Sequence, residues 1–131
     1  MKKILIVTAN YYPEIADNIK ISAVNFLEKK YILYLIDSPG VFEIPVIISK
    51  YINDFDGVVA LGSVIKGETP HFDFISTATT NAIMQLSIKY NKPIGNGILT
   101  CLSMQQAIAR VNKGEEAASA VDQVLSNEPK Q

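Results

Sequence analysis

Residues 57–74 are GVVALGSVIKGETPHFDF, and they contain in order a buried strand, a turn with glycine and the start of a helix. Gly57 to Gly62 is an apolar run without polar alternation, which is typical of a strand covered on both faces. Thr69 is predicted to cap the helix, and Pro70 suits its first position. The stretch therefore predicts one strand–turn–helix unit of an α/β fold.

Three further apolar runs have the same character, and helical patterns lie between them. The runs are Lys3 to Thr8, Ile32 to Ile36 and Ile94 to Thr100. Apolar residues recur at helical spacing in three segments: Ile15, Ile19, Ala23 and Phe26; Phe72, Ile75, Ala78, Ala82 and Leu86; and Ala117, Val121 and Val124. This alternation predicts a three-layer α/β/α sandwich, flavodoxin-like, with a four-stranded parallel sheet.

Two shorter helices complete the predicted order of elements. Phe42 to Ile52 is predicted to be helical, with Pro45 in its first turn, where a missing N–H costs little. Ser103 and Gln106 have the spacing of a capping box and open a second short helix. The sequence 112–114, Asn-Lys-Gly, is predicted to break that helix before the last one begins.

Length and composition limit the class of protein. A chain of 131 residues fits one domain, residues 1–131. Charged residues make up 19% of the chain, below the roughly 25% usual for soluble domains, so part of the surface is expected to be buried against other subunits. The formal net charge of −1 offers no footprint for nucleic acid or for an anionic membrane.

Single cysteine and histidine residues restrict the chemistry. Cys101 cannot form an internal disulfide, and a cysteine-rich metal site is excluded, which fits a reducing, cytoplasmic compartment. The apolar run Ile4 to Val7 is too short for a signal or membrane-spanning segment.

The candidate chemistry follows the predicted strands. Tyr11 and Tyr12 follow the first strand, residues 39–43 the second, residues 63–71 the third and residues 100–101 the fourth. The carboxyl ends of parallel strands share one edge of a sheet, where ligands bind. His71 would lie there at a helix N-terminus, which favours anions, and imidazole titrates near neutral pH. The sequence predicts a small-molecule site at this edge.

Two segments carry a resemblance to a known family. Residues 39–45, PGVFEIP, and residues 60–73, ALGSVIKGETPHFD, closely resemble the two signature stretches of the lumazine synthases. GILT at 97–100, Gln106-Ala107, Arg110 and NKGE at 112–115 are similar to that family's C-terminal pattern. The resemblance covers nearly the whole chain in order, so it is far more specific than one motif.

The resemblance implies an activity and an assembly. The activity is condensation of 5-amino-6-(D-ribitylamino)uracil with 3,4-dihydroxy-2-butanone 4-phosphate to 6,7-dimethyl-8-ribityllumazine, phosphate and water, in riboflavin biosynthesis. It implies no metal and no organic cofactor. It also implies pentamers, sometimes built into larger shells, with active sites shared between neighbouring subunits and a possible association with riboflavin synthase.

The resemblance also assigns roles to residues. His71 would transfer protons, and Asp73 could orient it, although a first-turn acid also stabilises a helix dipole. Phosphate would bind at Gly67, Glu68, Thr69 and Arg110. The other substrate-binding residues would be Tyr11, Val41, Phe42, Glu43, Ser63, Val64, Ile65, Asn96 and Lys113, of which Lys113, like Arg110, would come from the neighbouring subunit.

This chain departs from the family pattern in three places. Asn96 stands where relatives carry a phenylalanine, so an aromatic wall is missing and weaker substrate binding is expected. The stretch between Arg110 and Asn112 is shorter than in the family. The chain begins at its first strand, without the N-terminal arm that larger assemblies use, which suggests a free pentamer.

The sequence leaves two alternatives open. One is a non-catalytic flavodoxin-like module that binds a lumazine or flavin-like ligand. The other is a phospho-receiver domain, which is weaker because the first strand ends in Thr8-Ala9-Asn10 and lacks the acidic pair that would hold magnesium.

Overall fold

A four-stranded parallel sheet forms the centre of the computed structural model, which describes all residues, Met1–Gln131. The strands are β1 (Lys3–Ala9), β2 (Ile32–Ser38), β3 (Gly57–Ile65) and β4 (Ile94–Cys101), in the spatial order β2-β1-β3-β4. All three strand pairs are parallel. The predicted four-stranded parallel sheet is therefore confirmed.

Five helices connect and cover the strands. They are α1 (Pro13–Leu27), α2 (Ile44–Tyr51), α3 (His71–Tyr90), α4 (Met104–Ala109) and α5 (Lys113–Ser126). Short 3-10 turns, Val41–Glu43 and Ile52–Asp54, flank α2, so the predicted helix over residues 42–52 is α2 with a tighter turn at each end. No helix has the length and apolarity needed to cross a bilayer.

Side chains of the two central strands alternate between two cores. Ile4 and Ile6 of β1 pack with residues of α1 and α5, whereas Leu5 and Val7 pack with residues of α2 and α3. Successive side chains of a strand point to opposite faces, so an unbroken apolar run supplies both cores at once. Helices on both faces confirm the predicted α/β/α layers.

Strand β2 differs from the prediction. It was expected to be covered on both faces, but Tyr34 and Leu35 are 50% and 55% exposed in the single chain. The reason is its place at the sheet edge, where it pairs with β1 on one side only. An apolar edge strand of this kind is a ready surface for another chain.

Helix starts agree with the sequence in one case and differ in two. Ser103 Oγ accepts a hydrogen bond from Gln106 N at 3.2 Å, so the predicted cap of α4 is confirmed. The predicted cap of α3 is wrong by one position, because Pro70 is the capping residue and Thr69 Oγ1 only accepts a 3.4 Å bond from His71 N. The helix break lies at residues 110–112, since Lys113 already begins α5.

Candidate active site

A cleft of about 620 Å³ opens at the carboxyl ends of the strands. Its lining comes from residues 11–12 after β1, residues 40–43 after β2, residues 63–65 at the end of β3 and the first two turns of α3. Three of the four segments expected to converge there do so. The fourth, residues 100–101, does not line the cleft, and Cys101 is buried in the core on the α1 and α5 face.

Hydrogen bonds and close contacts fix the turn after β2. Ser38 is fully buried, and its hydroxyl donates to the carbonyl oxygen of Gly40 at 2.6 Å. A Cβ atom on Gly40 would lie 3.1 Å from Glu43 Oε1, so the Glu43 carboxylate folds back over the glycine. Phe42 stands at the rim and is 63% exposed, so it is not a core residue of the single chain.

Gly62 allows the cleft segments to meet. A Cβ atom there would lie 2.9 Å from Ala9 Cβ and 3.0 Å from Val41 Cγ2, closer than side chains pack. Beyond it, Ser63, Val64 and Ile65 follow β3 into the cleft wall. Position 62 therefore requires glycine, because any side chain there would separate β3 from β1 and from the turn after β2.

The start of α3 provides the histidine. His71 lines the cleft and is exposed, as expected for a group that must reach a bound molecule. Asp73 is also exposed in the first turn, but its side chain makes no hydrogen bond to the His71 ring. Asp73 is therefore placed to favour the helix dipole, and nothing in the contacts supports an orienting role.

The cleft of one chain holds no lysine or arginine. Its lining contains a single carboxylate, Glu43, and the imidazole of His71. Arg110 and Lys113 lie at the junction of α4 and α5 and do not line it. A fully charged phosphate in this cleft would lack a positively charged partner among the lining residues.

The remaining predicted residues lie outside the cleft. Gly67, Glu68 and Thr69 are exposed in the turn just before α3, next to the cleft but not among its lining residues. Asn96 is exposed on β4, and its Oδ1 accepts a 3.1 Å bond from Ile98 N of the same strand. The chain alone thus gathers eight of the predicted residues: Tyr11, Val41, Phe42, Glu43, Ser63, Val64, Ile65 and His71.

Five lining residues had no binding role in the prediction, namely Tyr12, Gly40, Phe74, Ile75 and Ala78, although Tyr12 and Gly40 lie in segments expected at this edge. Phe74, Ile75 and Ala78 lie three, four and seven positions after His71, the spacing of one helix face. Ile75 and Ala78 already belonged to the predicted apolar stripe of α3. The stripe was used only as evidence for a helix, so the place of this face at the cleft was not predicted.

The ionisable groups with shifted pKa values lie outside the cleft. Asp122 Oδ1 accepts bonds from Lys30 Nζ at 2.8 Å and from Tyr31 OH at 2.6 Å, and these bonds lower the pKa of the Asp122 carboxyl. Burial, together with the bond to Asp122, raises the pKa of Tyr31. This cluster ties the end of α1 to α5, so its role is structural. No three His, Cys, Asp or Glu side chains converge to share a metal ion.

Comparison with known proteins gives a consistent result over the whole chain. A family model described as 6,7-dimethyl-8-ribityllumazine synthase matches residues 1–128. Proteins named 6,7-dimethyl-8-ribityllumazine synthase from Helicobacter pylori and Bdellovibrio bacteriovorus are 36% and 37% identical, over 95% and 94% of this chain and 87% and 73% of their own lengths. One of the same name from Bartonella bacilliformis is 42% identical over 86% of this chain and 78% of its own length.

Proposed function

The chain belongs to the 6,7-dimethyl-8-ribityllumazine synthase family, and from this premise we propose how its cleft performs that activity. The enzyme is a transferase of riboflavin biosynthesis that forms 6,7-dimethyl-8-ribityllumazine from 5-amino-6-(D-ribitylamino)uracil and 3,4-dihydroxy-2-butanone 4-phosphate. The observation that carries the assignment of the site is that both signature segments meet in one cleft with the only histidine at its rim. The relatives are named as enzymes, and nothing favours a non-catalytic binding module.

The pyrimidine substrate fits the wall that one chain provides. Tyr11 offers an aromatic face to a flat ring. Val41, Val64 and Ile65 give the cleft an apolar wall beside Ser63. Main-chain groups of these residues are proposed to bind the polar edge of the ring. Glu43, held near Gly40, can accept hydrogen bonds from the hydroxyls of the ribityl chain, which extends toward Phe42 at the rim.

Proton transfer is assigned to His71. Imine formation between the pyrimidine amine and the ketone releases one water, and loss of phosphate follows. Attack of the ribitylamino nitrogen on the remaining carbonyl then closes the ring and releases a second water, so each stage moves a proton. An imidazole can accept and return protons near neutral pH. His71 lies at the cleft wall with no side-chain partner, free to turn toward the reacting atoms.

Phosphate is proposed to bind beside the start of α3. The exposed turn 67–69 precedes a twenty-residue helix, whose first N–H groups and dipole favour a negative charge. Glu68 would direct its carboxylate away from that anion. The turn 67–69 itself contains no basic side chain, and Lys66 just before it is an exposed point charge. A guanidinium that pairs with two phosphate oxygens at once must therefore come from elsewhere.

A second protomer is proposed to supply that cation. Arg110 is exposed outside the cleft of its own chain, and a guanidinium matches phosphate oxygens with two parallel bonds. Lys113 and Asn96 lie outside the same cleft and are proposed to approach the pyrimidine side of a neighbour's site. The pentamer that the resemblance implies would bring these groups together.

Exposed apolar surface supports this assembly. Leu35 on β2 and Phe74, Met84 and Ile88 on α3 are each more than half exposed in the single chain. Surface of this kind is normally covered by another subunit.

A single domain over residues 1–131, a cytoplasmic location and association with riboflavin synthase remain predictions.

The assignment is tested by incubating the purified protein with both substrates and following lumazine absorbance and fluorescence. The wild type should form lumazine, and His71→Ala should slow it by roughly tenfold or more. Lys130→Ala, on the exposed C-terminal segment, is the matched control and should not change the rate. Unchanged turnover in His71→Ala would remove His71 from the mechanism, and absence of product in the wild type would favour a binding module.

A further inference from the structure

Tyr11 is poorly held by the rest of the protein. It follows β1 and is 71% exposed, and its hydroxyl makes no hydrogen bond within the chain. An exposed tyrosine of this kind samples several rotamers, and fixing it against a ligand costs binding free energy. A stacking residue at the mouth of a cleft therefore needs a neighbour that orients it.

Tyr12 is the aromatic neighbour of that ring. The two ring centroids are 4.9 Å apart and the ring planes meet at 82°, the edge-to-face arrangement that aromatic pairs prefer. In this arrangement at least one face of Tyr11 stays free. Both rings line the cleft, so the pair lies where the flat substrate must enter.

The backbone and ring of Tyr12 are fixed in turn. Its ring is half-buried and packs against the core on the α1 and α5 face. Its carbonyl oxygen accepts the first hydrogen bond of α1, from Ala16 N at 2.9 Å, and the following Pro13 holds the Tyr12 backbone in an extended conformation. Tyr12 is thus held rigidly at the N-terminal end of α1, where it can support the ring of Tyr11.

We propose that Tyr12 is a positioning residue, whose ring orients Tyr11 for stacking on the substrate's flat heterocycle. The inference deepens the proposed function and rests on it, since Tyr11 matters only if a flat ring binds in the cleft. Tyr12 itself does not need to touch the substrate. Its effect should therefore appear in binding and should depend on Tyr11.

The test is a double-mutant cycle with two measurements. Steady-state rates give KM for the pyrimidine substrate and kcat, and fluorescence titration gives the affinity for the lumazine product. Tyr12→Leu should raise KM and weaken product binding by about three- to tenfold, the range expected for an aromatic pair and one ordered side chain, with kcat nearly unchanged. Tyr12→Phe keeps the ring and should behave as the wild type.

The cycle separates positioning from structure. In a Tyr11→Ala background, Tyr12→Leu should have no further effect on binding, because no ring remains to be oriented. An equal loss in both backgrounds, or unchanged binding in Tyr12→Leu, would overturn the proposal. If Tyr12→Leu does not fold, Tyr12→Met serves the same comparison. Product binding without turnover in the wild type would refute the proposed function and leave this inference standing.

Discussion

Mixed oligomers of two impaired variants should recover activity in a defined proportion. His71 and Arg110 do not share a cleft within one chain, so each site is proposed to take the imidazole from one protomer and the guanidinium from the next. His71→Ala and Arg110→Ala should each retain roughly a tenth of the wild-type activity or less when alone. In a ring with head-to-tail contacts and equal, random mixing, a site is complete when its imidazole subunit carries Arg110→Ala and its guanidinium subunit carries His71→Ala. About one quarter of sites meet this condition.

The assay is lumazine formation by co-expressed, differently tagged variants purified through both tags. The expected rate is about one quarter of the wild type per site, well above either parent. Co-expression of His71→Ala with Lys130→Ala is the control, and about half of its sites should be active because only the imidazole is limiting. A mixed sample no more active than its parents would show that Arg110 does not act on a neighbour's site, and the shared-site proposal would fail.

Three further outcomes follow from particular contacts. A Cβ on Gly114 would collide with the backbone carbonyl of Ile19. Gly114→Ala should therefore lower the free energy of unfolding by about 1–3 kcal/mol, measured by thermal melts. Gly67→Ala is the control and should leave stability unchanged, because a Cβ there meets no atom within 4 Å. The pKa of Asp122 is lowered in the folded state, so its contribution to stability is present above the ordinary carboxyl pKa of 3.8 and is lost as the pH falls through the lower native value; melts from pH 6 to pH 2 should show a flatter acid limb in Asp122→Asn. Asn96→Phe should lower KM for the pyrimidine substrate, and an unchanged or higher KM would count against the missing aromatic wall.

The sequence predicted the layers because burial leaves a strong pattern. β1 and β3 are central strands, and the apolar runs at Ile4 to Val7 and Gly57 to Gly62 agree with cover on both faces. β2 has the same apolar pattern but stands exposed at the edge of the single chain. An apolar strand can be covered by a helix of its own chain or by a neighbouring subunit, and both leave the same sequence pattern. The sequence therefore could not show that β2 is exposed in the single chain.

Local backbone signals were less reliable than the runs. Ser103 caps α4 as predicted. Its short side chain places the hydroxyl oxygen where it can accept a bond from the N–H of Gln106, which has no partner inside the helix. Thr69 did not cap α3, since Pro70 takes the capping position and α3 begins at His71. Gly114 was expected to help break a helix but lies inside α5, where its missing side chain lets that helix approach α1.

The site shows a similar division. Residues that follow strands, such as Tyr11, Val41 and Ser63, converge because the topology of a parallel sheet brings strand ends together. Tyr12 was expected at this edge without a binding role, and its edge-to-face contact with Tyr11 is not visible in sequence spacing. Arg110 was assigned by resemblance alone, and its position outside the cleft of its own chain is consistent with an action on a neighbour.

The loss of an aromatic residue at position 96 makes the Tyr11–Tyr12 pair more important for stacking on the substrate. Relatives carry a phenylalanine as an aromatic wall at position 96, and this chain has an amide there whose oxygen accepts a bond from Ile98 N of its own strand. Asn96 therefore offers no ring to a substrate. Stacking then depends on Tyr11 alone, and the orientation of a single exposed ring matters more than it would between two aromatic walls. A rigid aromatic support at Tyr12 is the kind of compensation that such a one-sided site requires.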